Sequence, residues 1–182
     1  MRRLVSRSRR TIVGAATLGG LLLALAGPAP AQEEAPLKAA IVLNLLQFVQ
    51  WPDEADWPAE APIVLCADRH GPLWPHLAAL AGRVARGHRT LQLREAAGGP
   101  DALRGCQAWL TEPTSLSRRP AGTPGVPLLV IADIGLGDDA PAVVALRRVQ
   151  GRIGFDVDLA AARRAGLQIS SKLLRLAGKV RE

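Results

Sequence analysis

Few side chains in this sequence could carry chemistry, and the two cysteines, Cys66 and Cys106, come first among them. A pair of thiols can close a disulfide, cycle as a redox couple or contribute to a metal site. Redox-catalytic dithiols are typically spaced Cys-x-x-Cys, and these two lie far apart in the chain. Two cysteines without companion histidines do not complete a tetrahedral zinc set, so no metal is expected. His70, His76 and His88 fall outside any His-Glu-x-x-His pattern and read as loop or surface residues. Ser170-Ser171 is not part of a Gly-x-Ser-x-Gly elbow and stands where a helix would start, the ordinary place for a capping serine. Gly135-Leu136-Gly137-Asp138-Asp139 lacks the third glycine and the Lys-Ser/Thr of phosphate loops, and its two acids would repel phosphate; it reads as a turn. Asp53, Glu54, Asp56 and Glu60 are interrupted by Trp57 and Pro58 and make no calcium loop. Neither an enzyme nor a cofactor is expected, which leaves the thiol pair.

The fate of those thiols depends on compartment. Arg2, Arg3, Arg7, Arg9 and Arg10 head an uncharged apolar run over 11–26, followed by Gly27-Pro28-Ala29-Pro30-Ala31. A basic head, an apolar middle and an Ala-x-Ala end are the three parts of a secretory signal peptide, so residues 1–31 are expected to be removed and 32–182 to form the mature protein. Ser8-Arg9-Arg10-Thr11-Ile12-Val13 also resembles a twin-arginine signal, which leaves either the general or the twin-arginine export route open. In an oxidising compartment two cysteines pair more often than not, the alternative being two buried thiols.

Export also changes the charge. The full chain has 23 basic and 16 acidic residues, net +7. Without the five leader arginines the balance is 18 to 16, net +2. The arginine pairs 118–119, 147–148 and 163–164 are spread along the chain. A solvated surface is expected there rather than a nucleic-acid track.

The elements that must position these residues follow from apolar spacing. Residues 37–51 read as a helix, apolar on most sides and stopped by Pro52. A buried strand is expected at 62–67, a helix at 73–81, a half-buried strand at 90–94, a short helix at 100–104 and strands at 106–110 and 126–132. Residues 114–118 read as a helical turn. Strands at 142–148 and 152–157 should meet at Gln150-Gly151. Two helices would close the chain, 158–166 from an Asp158 cap and 170–177, with an apolar stripe of Leu173, Leu174, Ala177 and Val180. Alternating strands and helices in a chain of this length imply a single α/β domain, a mixed sheet with helices on both faces.

Several of these segments resemble the YfiR family of periplasmic proteins. They are Leu37-Lys38-Ala39-Ala40 through Phe48-Val49-Gln50-Trp51-Pro52, then Val64-Leu65-Cys66, then Leu103-Arg104-Gly105-Cys106, and the ending from Phe155 to Ala177. The resemblance implies a Rossmann-like α/β fold, often dimeric, in which Cys66 and Cys106 match the family's bridge. It further implies a negative regulator that binds the periplasmic sensor region of a membrane diguanylate cyclase, linking envelope stress or redox state to cyclic-di-GMP. An outer-membrane lipoprotein would relieve the repression. Asn44, Phe48 and Trp51 are the residues expected at a dimer or partner face, the alternative being that the first helix is a core helix. This sequence departs from the family in having few aromatics in the first helix, and in Asp138-Asp139-Ala140-Pro141 where the family carries a Gly-Gly-Met-Ile strand. A periplasmic small-solute binding module is the alternative, with its ligand near Asp68 and residues 133–137 at the strand C-termini.

Overall fold

The structure, a computed structural model, describes residues 30–52, 54–96, 102–112, 126–134 and 142–182. Residues 1–29 of the expected leader, the helical turn expected at 114–118 and the Gly-Asp turn at 135–139 lie outside the described residues. No helix among the described residues is long and apolar enough to cross a membrane.

Helix α1 spans Pro30–Leu46. Its buried residues Ala39, Val42, Leu43, Leu45 and Leu46 recur at three- and four-residue spacing, so they form one broad inward face. It stops five residues before the expected end. Val49 is β-branched, and Trp51 precedes Pro52, which disfavours the helical region for it. The chain therefore extends into β1 (Val49–Gln50), which pairs antiparallel with β9 (Gln168–Ile169).

The main sheet has eight strands. In chain order these are β2 (Ile63–Ala67), β3 (Val84–Arg86), β4 (Arg89–Glu95), β5 (Ala108–Thr111), β6 (Leu129–Ala132), β7 (Val144–Val149), β8 (Arg152–Asp158) and β10 (Lys179–Arg181). Across the sheet they run β10-β8-β7-β6-β5-β2-β4-β3. The five central strands β7, β6, β5, β2 and β4 are parallel, while β3 runs antiparallel to β4, and β8 runs antiparallel to β7 but parallel to β10. This is the mixed α/β sheet that the alternation of elements implied. The hairpin β7–β8 turns at Gln150 and Gly151, both with positive φ (49° and 76°), the backbone that two-residue hairpins require.

Helix α2 (Trp74–Ala78) is shorter than expected and carries Pro75 in its first turn, where no amide hydrogen is needed. Residues 102–105 form turns instead of a short helix. Strand β6 starts at Leu129, after Pro127, which has no amide hydrogen for a ladder. Helix α3 (Leu159–Arg164) starts at Asp158, whose Oδ1 accepts from the Ala161 amide at 2.6 Å. Helix α4 (Ser171–Leu174) starts at Ser170. Val180, expected on a helical stripe, lies instead in β10, because Gly178 ends the helical turns and the next residues pair with the edge of β8.

Side chains alternate across a strand, so each strand feeds two faces. On one face Ile63, Leu65, Leu110, Ile131 and Val144 pack with the buried residues of all four described helices in one large cluster. On the other, Cys66, Cys106 and Trp109 form a small cluster, flanked by Val64, Leu103 and Val130.

Replacing Asp158 by alanine strips α3 of its cap and is expected to lower stability by about 1 kcal/mol in urea denaturation. An unchanged unfolding midpoint would show that the cap contributes nothing.

Candidate functional site

Cys66 lies in β2, and Cys106 sits at the end of the 102–105 turn, just before β5 rather than within it. Positive φ at Gly105 (73°) swings the chain back over the sheet. The sulfurs are bonded, with the Cα atoms 5.9 Å apart. β2 and β5 are adjacent parallel strands with Cys66 level with Trp109, so the bridge clasps the middle of the sheet over the smaller cluster. Arg94, opposite Cys66 on β4, reaches across: its Nη2 donates to the Arg104 carbonyl and approaches Cys106 Sγ at 2.9 Å. Gln107 continues the clasp. Its amide donates to the Val64 carbonyl and its Oε1 accepts from the Val64 amide, both at 2.9 Å.

The Gln107 carbonyl also accepts from Trp51 Nε1 at 3.0 Å. Trp51 is 1 % exposed and stacks at a tilt on Trp57, over which the Arg89 guanidinium lies 5.3 Å from the ring centre. Of the three residues expected at a partner face, Trp51 is therefore a core residue that ties the end of α1 to the sheet. The amphipathic indole explains the misplacement: burial satisfies its ring and the carbonyl its N–H. Asn44 is exposed and Phe48 half-buried, so both still border the surface at the C-terminal end of α1.

A second centre lies at the C-terminal ends of the parallel strands. Asp68, Glu112 and Asp133 each follow directly on β2, β5 and β6, and all three are buried. Asp133 meets Lys38 of α1, with Nζ 2.9 Å from Oδ1 and 3.1 Å from Oδ2. Asp68 folds its loop back on itself: Oδ1 accepts from the His70 amide at 2.9 Å and its carbonyl from Gly71 at 3.0 Å. That loop wraps Glu112, whose Oε1 accepts from the Leu73 amide at 3.4 Å. A Cβ on Gly71 would overlap the Glu112 carboxyl, so only glycine lets the backbone approach this closely. Burial pushes Glu112 up to about 7 from an ordinary 4.5. The Leu73 amide and Lys38 oppose the rise, and Asp133 and Asp68 add to it.

Sequence reasoning placed a ligand-binding edge near Asp68 and Asp133, and the fold does bring those two to one end of the sheet. It missed Glu112 and Lys38. The available signal was an acid directly after each of three parallel strands, a recurrence visible only once the strand ends are fixed. Among the described residues no group of three His, Cys, Asp or Glu is arranged to hold a metal ion.

Because its carboxyl is more easily protonated folded than unfolded, Glu112 favours folding below about pH 4.5, and that contribution fades as pH rises through 7. Glu112→Gln should therefore gain stability relative to wild type across this window, by roughly 2–3 kcal/mol in denaturation at stepped pH. Parallel pH–stability curves would refute it. Replacing both cysteines by alanine should cost about 4 kcal/mol, the loop-closure value for a bridge of this span, measured by urea denaturation under non-reducing conditions.

A family model described as YfiR/HmsC-like matches residues 35–178, which takes in every element described above except the start of α1 and the whole of β10. No curated protein matches the chain.

Proposed function

The chain belongs to the YfiR/HmsC-like family, and from that premise we infer a periplasmic regulatory protein that represses a membrane diguanylate cyclase by binding its sensor region. The family match over most of the chain carries this inference. The bridge between Cys66 and Cys106 supports it, since a bond of this kind persists in an oxidising compartment. Residues 1–31 then act as a cleaved leader, by either export route. Regulation by binding needs a surface and a stable frame to hold it. The frame is the clasped sheet, and the candidate surface is the C-terminal end of α1, where Asn44 is exposed, Phe48 is half-buried and the following Trp51 bonds the segment to the sheet. A homodimer through the same end, and release of repression by an outer-membrane lipoprotein, complete the proposal.

Deleting the gene in its native host should raise cellular cyclic-di-GMP, and re-expression should restore it. A complementing copy with Asn44→Arg and Phe48→Ala should accumulate normally in the periplasm yet fail to restore it. Unaltered cyclic-di-GMP on deletion would sink the repressor role; full complementation by the double variant would remove this surface while leaving the role intact.

A further inference from the structure

The positive charge of the mature chain is not spread evenly. Residues 32–158 hold 12 basic and 15 acidic residues, net −3. Residues 159–181 hold six basic residues and no acid. The whole basic excess therefore sits on the three elements that end the fold: α3, α4 and β10. These elements share one corner. α3 packs against both β10 and β9, α4 follows β9 directly, and the Gly178 amide donates to the Phe155 carbonyl at 2.8 Å to lay β10 along β8.

Arg163, Arg164, Lys172, Arg175 and Lys179 are all exposed. Of the carboxylates on the adjoining β8, Asp156 pairs with Arg147 at 3.0 Å and Asp158 caps α3, and the one acid that borders the cations in the chain is exposed Glu182. Amid the cations stands Leu176, 67 % exposed, the most exposed large apolar side chain among the described residues. Lys172, Arg175 and Leu176 stand at i, i+3 and i+4 along one helical stretch and share a side, while Leu173 points into the core. Val180 on β10 adds a second, smaller apolar contact.

We propose that this corner docks on a bilayer surface rich in anionic phospholipid, with the cations among the headgroups and Leu176 at the acyl boundary. An ordinary solvated face mixes both signs and does not set a leucine among cations. A nucleic-acid surface would interleave aromatics for stacking, and residues 159–181 contain none. Interfacial membrane binding needs what is present: clustered Lys/Arg to meet the negative surface potential, and an exposed aliphatic side chain to enter it. The proposal goes beyond the regulatory role and holds whatever protein partner the chain has. It would keep the molecule within reach of membrane-embedded partners.

The test uses protein as processed by an expressing cell, its N-terminus established by mass spectrometry. The protein is co-sedimented with vesicles of phosphatidylcholine alone or of phosphatidylcholine mixed with phosphatidylglycerol. The expected result is binding to the anionic vesicles, loss of binding at high salt, and a fall of at least about tenfold for Arg175→Glu/Lys179→Glu. Leu176→Ser should bind several-fold more weakly at unchanged salt dependence. Arg83→Glu, an exposed cation of the β3 end, should bind as wild type. Circular dichroism would establish that each variant is folded. Equal partitioning onto both vesicle types, or equal losses for Arg83→Glu and the double reversal, would overturn the proposal. So would a double reversal that disturbs cyclic-di-GMP control while vesicle binding is unchanged, an outcome that would hand the corner to an acidic protein surface.

Discussion

Parallel strands occur almost only in sheets with both faces covered, because the crossovers that join them lie over those faces. Among the described residues the two faces are covered unequally. One carries a continuous apolar cluster to which α1, α2, α3 and α4 all contribute. The other has, among the described residues, a cluster with only three buried members, two of which are the bonded cysteines. The covalent link between β2 and β5 does there what area does on the first face. It limits the unfolded chain instead of burying more surface, which ties stability to an oxidising compartment. Gln107, next to Cys106, shows how closely the two halves are joined: its backbone and side chain bond β2, while its carbonyl takes both the Leu129 amide of β6 and the indole of Trp51. Cover on one face and clasp on the other are fastened at one residue.

The opposite end of the strands has a different character. Three acids and one lysine meet where parallel strands end, and a loop held closed by Asp68 seats Gly71 against Glu112. Burying a carboxylate costs free energy that can be avoided by holding the proton, which is why Glu112 titrates near neutrality while Lys38 is spent on Asp133. Lys38 also joins α1 to the end of β6, so the helix is held at its middle by an ion pair and just beyond its C-terminal end by Trp51. That double attachment fixes the surface around Asn44 and Phe48 in relation to the sheet, as a binding surface requires.

The outer shell is polar in the electrical sense as well. A slightly acidic body ends in a corner bearing six cations, and the net charge of residues 32–182 conceals both. Whole-chain charge is a poor guide to partners when opposite signs lie on different elements.

Local physics carried much of the fold. Asp158 and Ser170 cap helices as their types demand, Gln150-Gly151 turns the final hairpin, and the alternation of strands and helices gave the class of sheet. Short elements were illegible, since β1, β9 and β10 have two or three residues each and exist only because a neighbouring strand offers its edge. Residues 37–51 looked continuously helical because apolar residues suit a buried helix and a buried strand alike; pairing with β9 decided for extension at Val49. The resemblance pointed to the family and to Cys66 and Cys106 as a pair, because both rest on residue identity and order along the chain. Tertiary structure alone decided that Trp51 turns inward, that Glu112 meets Asp133 and Lys38, and that the cations of 159–181 share a corner. Each of these depends on which distant segments become neighbours, and one-dimensional spacing does not contain that information.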